Sequence, residues 1–177
     1  ESLRRDIPLL MQPRDEMPAE HRFAQNFSTH LSNKNSWTSL GKVHPMKPQT
    51  IKWYTDGSLT DEGSGLGVVG LRLKYHESMG RYTSIFQAEV CAIGRCAEFN
   101  LQRNYRGKDI AILSDSQAAI KALSKAKITS KLVNEVRTAL DKLGAVNKLT
   151  IRWVPGHNII PGNKLADNLA RKGQRTL

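Results

Sequence analysis

The chain has 177 residues and 19.8 kDa, 39% apolar and 24% charged, which is enough apolar material for one buried core and excludes wholesale disorder. No apolar run approaches the roughly 20 residues of a membrane span; the opening Glu1-Ser-Leu-Arg-Arg-Asp6 has no initiating Met and no signal layout, so it reads as a piece of something longer. Lys and Arg number 27 against 16 Asp and Glu, and the resulting +11 points to a polyanionic partner, nucleic acid before a membrane surface.

The chain divides near residue 50. Five of its seven prolines (Pro8, Pro13, Pro18, Pro45, Pro48) precede that point, and residues 51–177 carry 20 basic against 11 acidic side chains. Residues 1–50 read as a Pro-rich linker or strap. Within it Pro18 could open a short helix, with Phe23, Phe27 and Leu31 forming an i, i+4, i+8 stripe. From residue 51 the pattern is regular. Ile51–Thr55 and Gly65–Leu73 read as strands, with a polar break at Lys74–Glu77 before a third strand at Met79–Thr83. Phe86, Val90, Ile93, Ala97 and Leu101 recur three or four apart, as a helix requires. Asp109–Leu113 is a short apolar strand, followed by helices over Ser116–Ser124 and Ser130–Leu143, a strand over Leu149–Val154 and a last helix over Gly162–Gly173. This order predicts an α/β fold with a mixed five-stranded sheet flanked by helices, the Asp109 strand lying parallel to and beside the Ile51 strand. Cys91 and Cys96, five apart on one predicted helix, point about 500° apart around it and cannot bridge each other. They read as packing residues in a reducing intracellular setting, cytoplasmic or nuclear.

Two acids end strands in small polar turns, Asp56 in Tyr-Thr-Asp-Gly-Ser and Asp115 in Leu-Ser-Asp-Ser-Gln. Parallel neighbouring strands would bring both carboxylates to one sheet edge, where open α/β sheets place ligands. Glu89 sits one turn into the first long helix beside core-facing Val90, and Asp167 sits among Leu165, Ala166 and Leu169 on the last. Singly, each could be a solvated or capping acid. A basic region has few acids to scatter, and grouped carboxylates repel unless cations join them. Hard oxygen donors suit Mg²⁺ or Mn²⁺, and two such ions about 3.5–4 Å apart suit phosphodiester hydrolysis.

Trp53-Tyr-Thr-Asp-Gly-Ser58, Phe86-Gln-Ala-Glu89, Leu113-Ser-Asp-Ser-Gln117, Trp153-Val-Pro-Gly-His157 and Pro161-Gly-Asn-Lys-Leu-Ala-Asp167 together resemble type 1 ribonuclease H over residues 51–174. The resemblance is closest to the ribonuclease H domain attached to retroelement reverse transcriptases, especially those of non-LTR elements. It implies a ribonuclease H-like fold and a two-metal endonuclease, using Mg²⁺ or Mn²⁺, that cuts the RNA strand of RNA–DNA hybrids. Asp56, Glu89, Asp115 and Asp167 would be the metal ligands, and His157 would aid proton transfer or product release from a loop. Gly57, Ser58, Gln117 and, more weakly, Gln87 would contact the RNA 2′-OH. Ser58 and Gln117 could equally serve as turn or cap residues. A reverse transcriptase would be the covalent neighbour.

Ile159 stands where the family often has glycine, Lys164 where it has an acid, and Asn168 where an acid commonly follows the last ligand. The stretch between Ser124 and Ser130 is too short for the basic helical protrusion of some cellular relatives, and Lys121, Lys125, Lys127 and Lys131 could substitute for it. A catalytically silent hybrid-binding or connector domain is the alternative, though degenerate copies lose acids and all four are here. A DNA-cutting transposase or integrase would need a different acid order.

Overall fold

Residues 15–31, 46–156 and 161–174 are described by a computed structural model. The elements in chain order are β1 (Glu20–His21), β2 (Phe27–His30), β3 (Ile51–Thr60), β4 (Gly63–Gly70), β5 (Leu73–Gly80), α1 (Ile85–Gln102), β6 (Asp109–Ser114), α2 (Gln117–Ser124), β7 (Lys127–Ile128), α3 (Lys131–Val146), β8 (Lys148–Trp153) and α4 (Pro161–Gln174). The main sheet runs β2-β8-β6-β3-β4-β5. β3, β6, β8 and β2 are parallel neighbours, while β3, β4 and β5 form an antiparallel meander. The α/β class and the β3–β6 parallel pairing agree with the sequence reading. Among the described residues the sheet has six strands, one more than expected.

Helix starts follow from serine chemistry. Ser84, Ser116 and Ser130 each stand in extended backbone and accept from an N–H in the first turn of α1, α2 and α3, satisfying donors the helix leaves orphaned. Gln87 reciprocates to the Ser84 N–H, completing a capping box. Trp53, Leu66, Val90, Ile93, Ile112 and Ile151 form the centre of the core. Cys91 and Cys96 are buried free thiols, packing there as expected.

Several local expectations fail. The third strand is β5 at Leu73–Gly80, not Met79–Thr83, and the supposed break at Lys74–Glu77 lies inside it. Its turn is carried by Leu71 and Arg72 between paired Gly70 and Leu73, with Arg72 at φ 58°, so neither central position holds the Gly or Asn that such a turn favours. The strand is also an edge, polar on one side, with Glu77 paired to Arg95 at 2.9 Å.

The short helix expected after Pro18 does not form; residues 20–21 and 27–30 are strands. Phe27 alone of the stripe is buried, while Phe23 is 84% and Leu31 44% exposed. The backbone donors and acceptors of this segment find better partners in existing edges. Phe27–His30 pairs in parallel with Leu149–Arg152 of β8, supplying the sixth strand, and β1 pairs antiparallel with β7. Asp15 accepts from the Ser130 hydroxyl and the Leu132 N–H at the start of α3. Asn26 bonds Asp141 through both its backbone N–H and its side chain. The strongest tie is Arg137. Only 1% exposed, its guanidinium donates to the carbonyls of Leu123 and Lys125 at the end of α2 and of Arg22 and Ala24 in the strap. One buried cation thus joins two chain segments over a hundred residues apart.

Candidate active site

Asp56 does not end its strand. β3 continues through it to Thr60, paired on one side with β4 in the register Asp56↔Gly67. On the other side β6 stops at Ser114, whose partner is Thr55. Asp56 is therefore the first residue of β3 beyond the end of its parallel neighbour. That gap is where side chains from both faces of the sheet can meet.

Asp115 follows β6 directly and precedes the α2 cap Ser116. Its carbonyl accepts from the Trp153 indole N–H at 3.0 Å, which fixes the turn against β8. Glu89 enters from α1. Gly57 makes this approach possible: a Cβ there would lie 2.7 Å from the Glu89 backbone N and 2.8 Å from its Cγ. Gly67, on the opposite face, does the same for α4, because a Cβ there would lie 2.2 Å from the Ala166 carbonyl oxygen. Since Gly67 is the cross-strand neighbour of Asp56, this contact sets Asp167, the next residue of α4, beside Asp56.

One carboxylate oxygen from each of Asp56, Glu89 and Asp115 lies within 4.8 Å of the other two. Asp167 adjoins Asp56, close enough to help raise its carboxyl, but stands outside that mutual set, with Arg171 Nε 3.2 Å from its Oδ2. The electrostatics follow from burial. Asp56 is 5% exposed, and its carboxyl is pushed up to about 9, first by burial and then by the charges of Asp115 and Asp167 and its hydrogen bonds to them. Burial also raises Asp115, opposed by the proton Asp56 offers it and by a hydrogen bond to Asn163. Glu89 is raised by burial, opposed by a hydrogen bond with Ser116 and helped by the Asp115 charge. Three oxygen donors, crowded and short of balancing cation, fit a divalent metal: a bound ion replaces the proton that the cluster otherwise needs.

The remaining expected residues are dispersed around this centre. Gly57 is buried against Glu89, and Ser58 is half-buried one residue further along β3. Gln117 is exposed as the first residue of α2. The Gln87 carboxamide oxygen is committed to the capping box. His157 and Ile159 lie outside the described residues. Lys164 and Asn168 are exposed on α4.

The sequence reading overlooked Asn163, 2% exposed and holding the Asp115 carboxyl down, and the like effect of Ser116 on Glu89. Asn163 precedes Asp167 by four, a helical spacing that places both on one face and could have revealed it. Arg171, four after Asp167, carries the same signal.

Comparison with known proteins identifies the family. The sequence model of the family described as RNase H matches residues 48–175. A curated ribonuclease H from Polynucleobacter asymbioticus is 31% identical over 149 residues, covering 73% of this chain and 93% of that protein. The crystal structure of RNase H1 from the halophilic archaeon Halobacterium salinarum superposes with a TM-score of 0.56 at 22% identity, covering 70% of this chain and 96% of the other, a likeness of fold. With three acids converging where β6 ends, Asp167 beside Asp56, and a family match spanning five of the main sheet's six strands and all four described helices, the chain belongs to the RNase H family of nucleases.

Proposed function

We propose that this chain hydrolyses the RNA strand of RNA–DNA hybrids with two divalent ions, Mg²⁺ or Mn²⁺, and does so within a retroelement polyprotein that also carries a reverse transcriptase. The observation that carries the reading is the convergence of Asp56, Glu89 and Asp115 within 4.8 Å, with Asp167 adjoining Asp56. These four would hold the ions. When bound, the ions supply an activated water and neutralise charge at the phosphodiester.

The protein's own groups do the rest. Asp56 gives up its proton as the site loads. Trp153 and Asn163 keep Asp115 in place from two directions. His157 moves a proton or helps release product from its loop. The Gly57 backbone, Ser58 and Gln117 read the RNA 2′-OH, which separates a hybrid from a DNA duplex; Gln87 joins them through whatever its cap role leaves. Residues 1–50 strap the domain of residues 51–177. The reduced cysteines Cys91 and Cys96 suit the cytoplasm or nucleus. Among the described residues no helix is long and apolar enough to cross a membrane.

The test is cleavage of end-labelled RNA–DNA hybrid, RNA duplex and DNA duplex in Mg²⁺ and in EDTA. Cutting should be confined to the RNA of the hybrid and vanish in EDTA. Equal cutting of all three, or cutting that survives EDTA, would sink the reading.

A further inference from the structure

β1 and β7 form a small ribbon whose two faces differ in chemistry. The register pairs Glu20 with Ile128 and His21 with Lys127, and the Arg22 N–H to Ala126 carbonyl bond of 2.8 Å continues it toward Phe23 opposite Lys125. Side chains alternate along strands and directly opposed residues share a face. One face therefore carries Glu20, Arg22 and buried Ile128, and Arg22 turns there to Asn134 and Thr138 of α3. The other face carries His21, Phe23, Lys125 and Lys127, all exposed.

That outer face is unusual. Phe23 is 84% exposed, yet its ring stacks on His21 with centroids 6.1 Å apart and planes 20° from parallel. Two lysines lie across the ribbon from the pair, with exposed Lys121 one turn back on α2. The only carboxylate of the ribbon, Glu20, is on the other face, 3.9 Å from Arg22. Beside the ribbon a groove of about 450 Å³ is lined by Phe86, Ala122, Lys125, Lys127, Ile128 and Val133. Phe86 is on α1, three residues before Glu89, so the groove leads from the carboxylate helix to the ribbon. α2, which starts two residues after Asp115, is eight residues and so about 12 Å long, within a few nucleotides' reach.

We infer that the outer face of the β1–β7 ribbon binds an unpaired nucleic-acid strand leaving the hybrid along α2, with His21 and Phe23 stacking on bases and Lys121, Lys125 and Lys127 contacting phosphates. Exposed π faces flanked by cations are the chemistry of single-strand recognition. Bases inside a duplex present edges, not faces, so the aromatic pair selects the unpaired part of a substrate. The strap is what supplies the aromatics, and Arg137 holds it against the lysine loop. The inference rests on the hybrid reading above and adds a partner surface to it.

The test uses the full chain with cleavage blocked by EDTA. Fluorescence anisotropy compares a blunt RNA–DNA hybrid with the same hybrid carrying an unpaired tail of about ten nucleotides. The native chain should bind the tailed hybrid roughly tenfold more tightly, the effect expected from stacking on one or two bases. The pair His21→Ala and Phe23→Ala should bind blunt hybrid as the native chain does and lose the tail preference. Phe23→Trp should keep it, which separates lost stacking from damaged folding. No tail preference in the native chain, a preference retained by the double variant, or equal losses on blunt and tailed hybrid would each overturn the inference. Cleavage of blunt hybrid in Mg²⁺ tests the parent reading independently, because it needs no tail.

Discussion

Replacing Asp56 by Asn should stabilise the metal-free protein while destroying its metal site. Asp56 is 5% exposed, and its carboxyl rises from the usual 3.8 to about 9 because of burial and its acidic neighbours. A carboxyl raised on folding contributes stability that is full below its unfolded value and is lost as pH climbs toward the folded one. At pH 7 the chain must keep a proton that the unfolded state would release, at a cost of about 4 kcal/mol. Asparagine is neutral at every pH, and its oxygen can still accept the Gly57 N–H that now bonds Asp56 Oδ1 at 2.9 Å. Urea unfolding in EDTA across pH 4.5 to pH 8 is the assay. The variant should exceed the native chain by a few kcal/mol at the upper end and by about 1 kcal/mol or less at the lower. Added Mg²⁺ should then raise the native midpoint and not the variant's, since only the native chain gains by binding. A variant less stable than native at pH 8, or a difference that ignores pH, would refute the account of the cluster.

If Asp115 holds metal as proposed, Asp115→Asn should abolish hybrid cleavage yet leave hybrid binding measurable by anisotropy, since it removes a ligand charge and alters no phosphate contact. Gly67→Ala should push α4 away from β4, costing about 1–3 kcal/mol in urea unfolding and lowering turnover by moving Asp167 off Asp56. Arg137→Met should cost about 2–4 kcal/mol and speed proteolytic cutting within residues 15–31, because four carbonyls lose their donor. Unchanged cutting there would show that the strap is held without it.

The gathering of the acids was legible because the signals for it are local to short segments. Asp56, Glu89, Asp115 and Asp167 each sit in a stretch whose apolar neighbours fix the element and whose small residues fix the turn. Ser84, Ser116 and Ser130 similarly betray where helices begin. What escaped notice depends on partners distant in sequence. Phe23, Phe27 and Leu31 have helical spacing, but Phe27 is buried because β8 offers an edge and Arg137 lies 5.8 Å over its ring. β5 was displaced because Leu71 and Arg72 make a turn that composition does not announce. Asp56 was placed at a strand end because Gly57 and Ser58 look like a turn, whereas they continue the pairing with Leu66 and Gly65.

The sixth strand changes what counts as the whole folding unit. The family match begins at residue 48, but a polypeptide trimmed to that point would shed β2, β1 and the Asp15 cap together. Leu149–Arg152 would then present a bare row of amides and carbonyls, flanked by the apolar residues that now cover Phe27. Such a margin recruits strands from other molecules. The buried guanidinium of Arg137 would lose half of its acceptors at the same moment. Insolubility of the trimmed polypeptide would therefore reflect an amputated sheet, and restoring residues 15–31, even as a separate peptide, should cure it.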